Sequence, residues 1–152
     1  MKFGNIIPQG TDSFKADVWV KIYENELTVA ATSVTISGLD GNTDVMYRLV
    51  TRVVDASGVS THTWLRLNND STGTNYGYQF LSGGDTTVDA GRDTAEGQMY
   101  INFNTATGNV SLGETLLYAK SGYVRTALIS TNRNVNGTTV GAIILYPGVW
   151  SN

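Results

Sequence analysis

The chain alternates apolar and polar residues with a period of two, segment after segment. That period belongs to a strand with one buried face, because successive side chains of a strand point to opposite sides. The segment VMYRLVTRVV, residues 45–54, is the clearest case. Val45, Tyr47, Leu49 and Val53 fall on one face, and Arg48 and Arg52 point the other way. In ADVWVKIY, Val18, Val20 and Ile22 oppose Trp19, Lys21 and Tyr23, and in SVTISGL, Val34 and Ile36 alternate with Thr35 and Ser37. TWLRL sets Leu65 and Leu67 opposite Trp64 and Arg66. QMYINFN sets Met99, Ile101 and Phe103 opposite Tyr100, Asn102 and Asn104. Further strands are predicted over 113–120, 123–133 and 138–146.

The connections carry turn chemistry. Asn136-Gly137 in VNGT accepts the two positive φ angles of a type I′ hairpin turn. KSGY at 120–123 and TGNV at 107–110 are signals of the same kind, and LDGNTD at 39–44 and DASG at 55–58 separate the earlier strands. No ten-residue window carries an apolar stripe at helical period without a glycine or a β-branched cluster. Short strands without helical crossovers predict an all-β, mostly antiparallel sandwich or barrel. With no linker and no fixed repeat, residues 17–152 read as one β-domain behind an N-terminal arm, 1–16.

Composition agrees with the pattern. There are 20 threonines and 17 glycines but only two prolines, and threonine, valine and tyrosine suit a pleated, half-buried surface. A chain of 152 residues buries about 68–70 % of its unfolded surface and needs no staple. It has no cysteine, which excludes disulfides and thiolate metal sites. A single histidine, His62, excludes multi-histidine zinc centres. The net charge is −3 and the pI about 4.9. The scattered basic residues make no stripe for nucleic acid. No apolar run is long enough for a membrane span. MKFGNIIPQGTDSF lacks the continuous apolar core of a signal peptide. The expectation is a soluble chain made in the cytoplasm, with no nucleic-acid or membrane partner.

Three places hold candidate chemistry. His62 in STHTW has no Gly-x-Ser-x-Gly elbow or comparable partner in the sequence, which favours a packed or solvent-facing strand-end histidine over a general base. The acidic stretch GGDTTVDAGRDTAEGQ, 83–98, holds Asp85, Asp89 and Asp93 four apart, with Arg92 among them. It reads either as a solvated loop or as a gathering of carboxylates around calcium, which takes six to eight oxygens. The stretch LRLNNDSTGTNYGYQ, 65–79, places Asn68-Asn69-Asp70 where a strand ends and sends Tyr76 and Tyr78 out on one face of the next. Asx side chains close such loops by bonding their own backbone, so a structural loop is expected. The readings assign no catalytic residue, no cofactor and no metal.

The same segment carries a family resemblance. LRLNND, a glycine-containing loop and NYGYQ resemble a pattern in virion structural proteins of tailed bacteriophages, and ISGLDGNTDVMYRLV is similar to their lead-in. The resemblance covers about residues 33–146. It implies a jelly-roll-like β-sandwich with an extended N-terminal arm, displayed on the particle surface as a head decoration protein or in a tail or fibre part. It transfers no catalytic residue: Asn69, Asp70, Tyr76 and Tyr78 match as structural positions. Chains of this type often close with a further hairpin after the segment matching GAIILYPGVW, whereas here the sequence given reaches only Asn152.

The two ends raise the question of assembly. Phe3, Ile6 and Ile7 form an apolar arm suited to docking on an adjacent subunit, or are incidental residues of a poorly ordered start. Val149 and Trp150 stand near the other end. Trp150 either folds back onto its own sandwich or is covered by a neighbouring chain, since burying such a ring is worth a few kcal/mol. These five residues are the expected subunit contacts, and a trimer is the favoured unit. Three functions remain, in order: a capsid decoration or cement protein bound to the major capsid protein, a glycan-binding tail or fibre tip using rings such as Trp19, Tyr76 or Tyr78, and a glycan hydrolase.

Overall fold

The computed structural model describes residues 19–56, 59, 61–84, 86–104, 108–136 and 139–151. The chain divides into two units, residues 1–36 and 37–152. Phe3, Ile6 and Ile7, and the whole expected arm, lie outside the described residues.

The described part of the first unit, 19–36, contains no strand. Trp19, Val20, Ile22 and Val34 are exposed, and Lys21 pairs with Glu24 at 2.7 Å. The strands expected in ADVWVKIY and SVTISGL are therefore corrected. Alternation records which side chains would share a face, but a strand also needs a neighbouring ladder for its backbone groups.

The second unit is nearly all β. A one-turn helix α1 (Gly41–Asp44) starts on Asp40, whose carboxylate accepts from Asn42 N at 3.0 Å and from Thr43 Oγ1 at 2.8 Å. Eight strands follow: β1 (Met46–Val54), β2 (Thr61–Leu65), β3 (Tyr76–Gly84), β4 (Thr87–Glu96), β5 (Met99–Asn104), β6 (Val110–Tyr118), β7 (Arg125–Asn136) and β8 (Thr139–Trp150). Six form one antiparallel sheet in the order β1-β6-β7-β8-β3-β4, and β2 pairs with β5 in a small second sheet. This is the antiparallel all-β sandwich that the alternation and the resemblance predict, with layers of unequal width.

β5 lies over the large sheet, and the core forms beneath it. Tyr76, Met99, Ile101, Leu117, Ala127, Ile129, Ala142, Ile144, Tyr146 and Trp150 are buried together. On β8 the burial alternates strictly: Ala142, Ile144, Tyr146, Gly148 and Trp150 face inward, and Ile143, Leu145, Pro147 and Val149 face outward. β1 follows the expected division, with Tyr47 and Leu49 packed on the core and Arg48 and Arg52 exposed.

One half of the core is polar. Asn102 has 0 % exposure, although the alternation of β5 does not set it in the core. Its amide nitrogen donates to Thr51 Oγ1 at 2.6 Å and to Ile101 O at 3.2 Å, and its oxygen accepts from Ser111 Oγ at 2.8 Å and Gly113 N at 3.1 Å. Ser111 continues the chain to Thr131 at 3.3 Å. Four satisfied bonds remove the penalty of burying the amide. Gly113 permits the approach: a Cβ there would lie 2.6 Å from Ile101 O and 2.8 Å from the Asn102 side-chain amide, at the oxygen that Gly113 N reaches.

Candidate functional site

The 65–79 segment turns where β2 has ended. Asn68 (φ 54°) and Asn69 (φ 56°) take two consecutive positive φ angles, and Asp70 N donates to Leu67 O at 2.9 Å. That is the pattern of a type I′ turn, and asparagine tolerates it better than most residues. A second turn closes with Asn75 N donating to Thr72 O at 3.1 Å.

Asp70 ties the loop together. Its Oδ1 accepts from Thr72 N at 2.9 Å, and its Oδ2 accepts from the Asn75 side-chain amide at 2.7 Å and from Trp150 Nε1 at 2.8 Å. The Asn75 amide first, then the Trp150 indole and the Thr72 N–H, hold the carboxyl well below the usual carboxylate range. Tyr76 OH accepts from Leu67 N at 2.9 Å and lies 3.1 Å from Asp70 O. Ser151 N donates to Asn75 O at 2.9 Å. Gly97 completes the fit, since a Cβ there would lie 2.7 Å from Ser71 O.

The loop is thus a clasp that fastens the end of β8 to the start of β3. Of the two placements open for Trp150, the structure shows the first: the ring is 4 % exposed, stacks near Tyr76 with centroids 6.1 Å apart, and lies under the Arg125 guanidinium at 4.7 Å. It has no face to offer a neighbour. Val149, on the opposite side of β8, is exposed. Of the motif residues, Asn69, Asp70 and Tyr76 all serve the clasp. Tyr78 goes instead to an aromatic cluster.

That cluster joins the two sheets. Trp64 and Tyr100 centroids are 3.8 Å apart, and Tyr100 reaches Tyr78 at 5.2 Å and Tyr146 at 5.6 Å. Burial above all raises the Tyr78 hydroxyl pKa, with Tyr100 adding to it. His62 packs edge-on against Phe103 at 4.4 Å and Tyr100 at 4.8 Å, and burial lowers its pKa. Its neighbours are rings, which fits the packed-histidine reading.

The acidic stretch is not a loop. Residues 87–96 form β4, an edge strand paired with β3. Asp85 lies outside the described residues. Asp89 and Asp93, four residues apart on a strand, stand about 13 Å apart along it, too far to share one cation. What the sequence shows as a carboxylate cluster is a charged sheet edge, which discourages edge-to-edge pairing. Glu96 carries a raised pKa, from burial first and then from its hydrogen bond with Asp93. Among the described residues, no group of three or more His, Asp or Glu side chains could hold a metal ion. No helix among them is long and apolar enough to cross a membrane.

The remaining surface feature was not singled out from the sequence. The outer face of the six-stranded sheet exposes Val50, Leu81, Leu112, Leu128, Ile143 and Leu145. Two shallow depressions adjoin on it. One, of about 310 Å³, is lined by Met46, Leu116, Tyr118, Leu128 and Pro147, and the other, of about 540 Å³, by Tyr78, Gln79, Arg92, Gly148 and Val149 among others. The signal was present as leucine and isoleucine at positions that alternation assigns to solvent.

Comparison of the chain with protein-family models, with curated proteins and with solved structures finds no match.

Proposed function

We propose that this chain is a non-enzymatic structural protein of a bacteriophage particle, a decoration or cement protein that binds the outer shell of the head and stabilises it. The observation that carries this reading is the use made of the 65–79 segment. The residues that resemble phage virion proteins close a clasp on the end of the sandwich: both Asp70 oxygens and the Tyr76 hydroxyl are engaged inside the fold. A chain whose polar groups lock its own architecture is suited to bearing load between neighbours rather than to turning over a substrate. The partner in this reading is the major capsid protein or another virion protein, and the place of action is the particle surface after synthesis in the host cytoplasm.

The glycan-binding alternative keeps one of its three rings. Trp19 is exposed, but Tyr76 is 1 % exposed and Tyr78 is packed between Tyr100 and Tyr146. Imaging of particles carrying a labelled copy of the chain tests the reading. Label distributed over the head supports it, label at the tail tip moves the function to the glycan alternative, and unlabelled particles overturn both.

A further inference from the structure

The outer face of the six-stranded sheet is apolar where a solvated antiparallel sheet is ordinarily polar. Leu128 on β7 is 55 % exposed and Ile143 on β8 is 60 % exposed. The pairing register joins these residues into rows across the sheet. Leu116, Leu128 and Pro147 stand opposite one another in succession, and Leu145 stands between Ser130 and Leu81. We infer that this face packs against the same face of a second copy of the chain.

Size is the first argument. Six strands about 4.8 Å apart and nine residues at about 3.3 Å each give a face of about 850 Å². One partner's share of a standard stable interface is about 800 Å².

Charge decides between a copy and a different partner. A face that meets itself must be self-complementary, since the same patch lies on both sides. A net charge at its centre would repel the copy and select a partner of opposite sign. Here the four central strands β6, β7, β8 and β3 present one charged residue outward, Glu114, and Arg48 of β1 neutralises it at 2.7 Å. Arg52 and Arg92 stand on β1 and β4, the two opposite edges. The centre is neutral, and the unpaired arginines among the described residues of the face stand at its two edges, where an interface ordinarily keeps its charge.

Relief supplies the register. Leu81, Leu145 and Ile143 lie toward one end of the face, and the two depressions flank Pro147 toward the other. A twofold axis lying in the interface and running across the strands exchanges these ends. It sets the leucine ridge of each copy over the hollows of the other. The inference goes beyond the particle reading and does not depend on it.

Sedimentation of the full chain tests the contact, with Leu128→Arg and Leu145→Arg as interface variants. Arg66→Glu, at an exposed position just past β2 of the small sheet, is the control. Both interface positions already face solvent, so circular dichroism should be unchanged in either variant. Wild type and the control should sediment at twice the 16.4 kDa chain mass. Each interface variant should weaken association by about 100-fold or more, because it removes a central anchor and buries an unpaired charge. A wild type that stays monomeric up to about 1 mM overturns the inference. So does an oligomer that both interface variants leave intact.

Discussion

The indole N–H of Trp150 donates to the carboxylate of Asp70 at 2.8 Å, across 80 positions of sequence. With the Ser151 N–Asn75 O bond, it fastens the end of β8 to the loop before β3. It explains why an amide and acid cluster stands beside two tyrosines. The asparagines make the turn, Asp70 collects donors from the loop and from β8, and Tyr76 fixes the loop backbone from below.

The clasp makes stability depend on pH. The folded-state pKa of Asp70 lies below its ordinary 3.8, so the folded state binds the proton less readily than the unfolded state. The stabilisation is fully present above about pH 4 and is lost as pH falls through the folded-state value. Asp70→Asn should melt earlier than wild type at pH 7, and the gap between them should narrow below about pH 4. Melting curves from pH 7 to pH 2 read this directly. A gap that stays constant would show that the carboxylate charge is not what holds the clasp.

Trp150 separates packing from hydrogen bonding. Trp150→Ala should destabilise the folded chain by about 3–5 kcal/mol, as for large-to-small changes in a core. Trp150→Phe keeps most of the ring and loses the donor, at about 1–2 kcal/mol. Denaturant unfolding of both variants gives the two numbers. An alanine variant as stable as wild type would move the ring out of the core.

The polar half of the core should be equally sensitive. Asn102→Ala leaves Thr51, Ser111 and Gly113 N short of a partner and should cost about 2–4 kcal/mol. Gly113→Ala should cost about 1–3 kcal/mol or more, because the nearest atom to the added methyl is backbone and cannot rotate away. Both are read by the same unfolding experiment. Equal stability of Gly113→Ala and wild type would mean that β5 and β6 do not approach as closely as described.

A chelator should leave the melting temperature unchanged, since the Asp70 oxygens already accept from three N–H donors and Asp89 and Asp93 stand on a strand. A fall of several degrees that calcium restores would reveal a bound cation.

Six of the eight described strands were legible as alternation, because an antiparallel sheet with one buried face writes its period into the sequence. β3 was read only as the strand that carries Tyr76 and Tyr78 out of the loop. β4 was not read as a strand. Its Asp89, Arg92, Asp93 and Glu96 read as loop chemistry, and its β character comes from pairing with β3 at the sheet edge. The converse failure is 19–36, where alternation is present and a ladder is not. Asn102 was set opposite the core because alternation cannot see that Thr51 and Ser111 wait on the facing sheet. The Asn68-Asn69 turn was readable from residue type, but its tie to Trp150 is a long-range contact that no local pattern carries. Of the five expected subunit contacts, Trp150 packs at home, Val149 lies on the outer face, and Phe3, Ile6 and Ile7 lie outside the described residues.

The copy number of the chain in purified phage particles, measured by quantitative mass spectrometry against the major capsid protein, tests the functional reading most directly. A decoration protein of the head should be present in hundreds of copies, in fixed ratio to the coat subunits. Absence of the chain from purified particles would contradict the account.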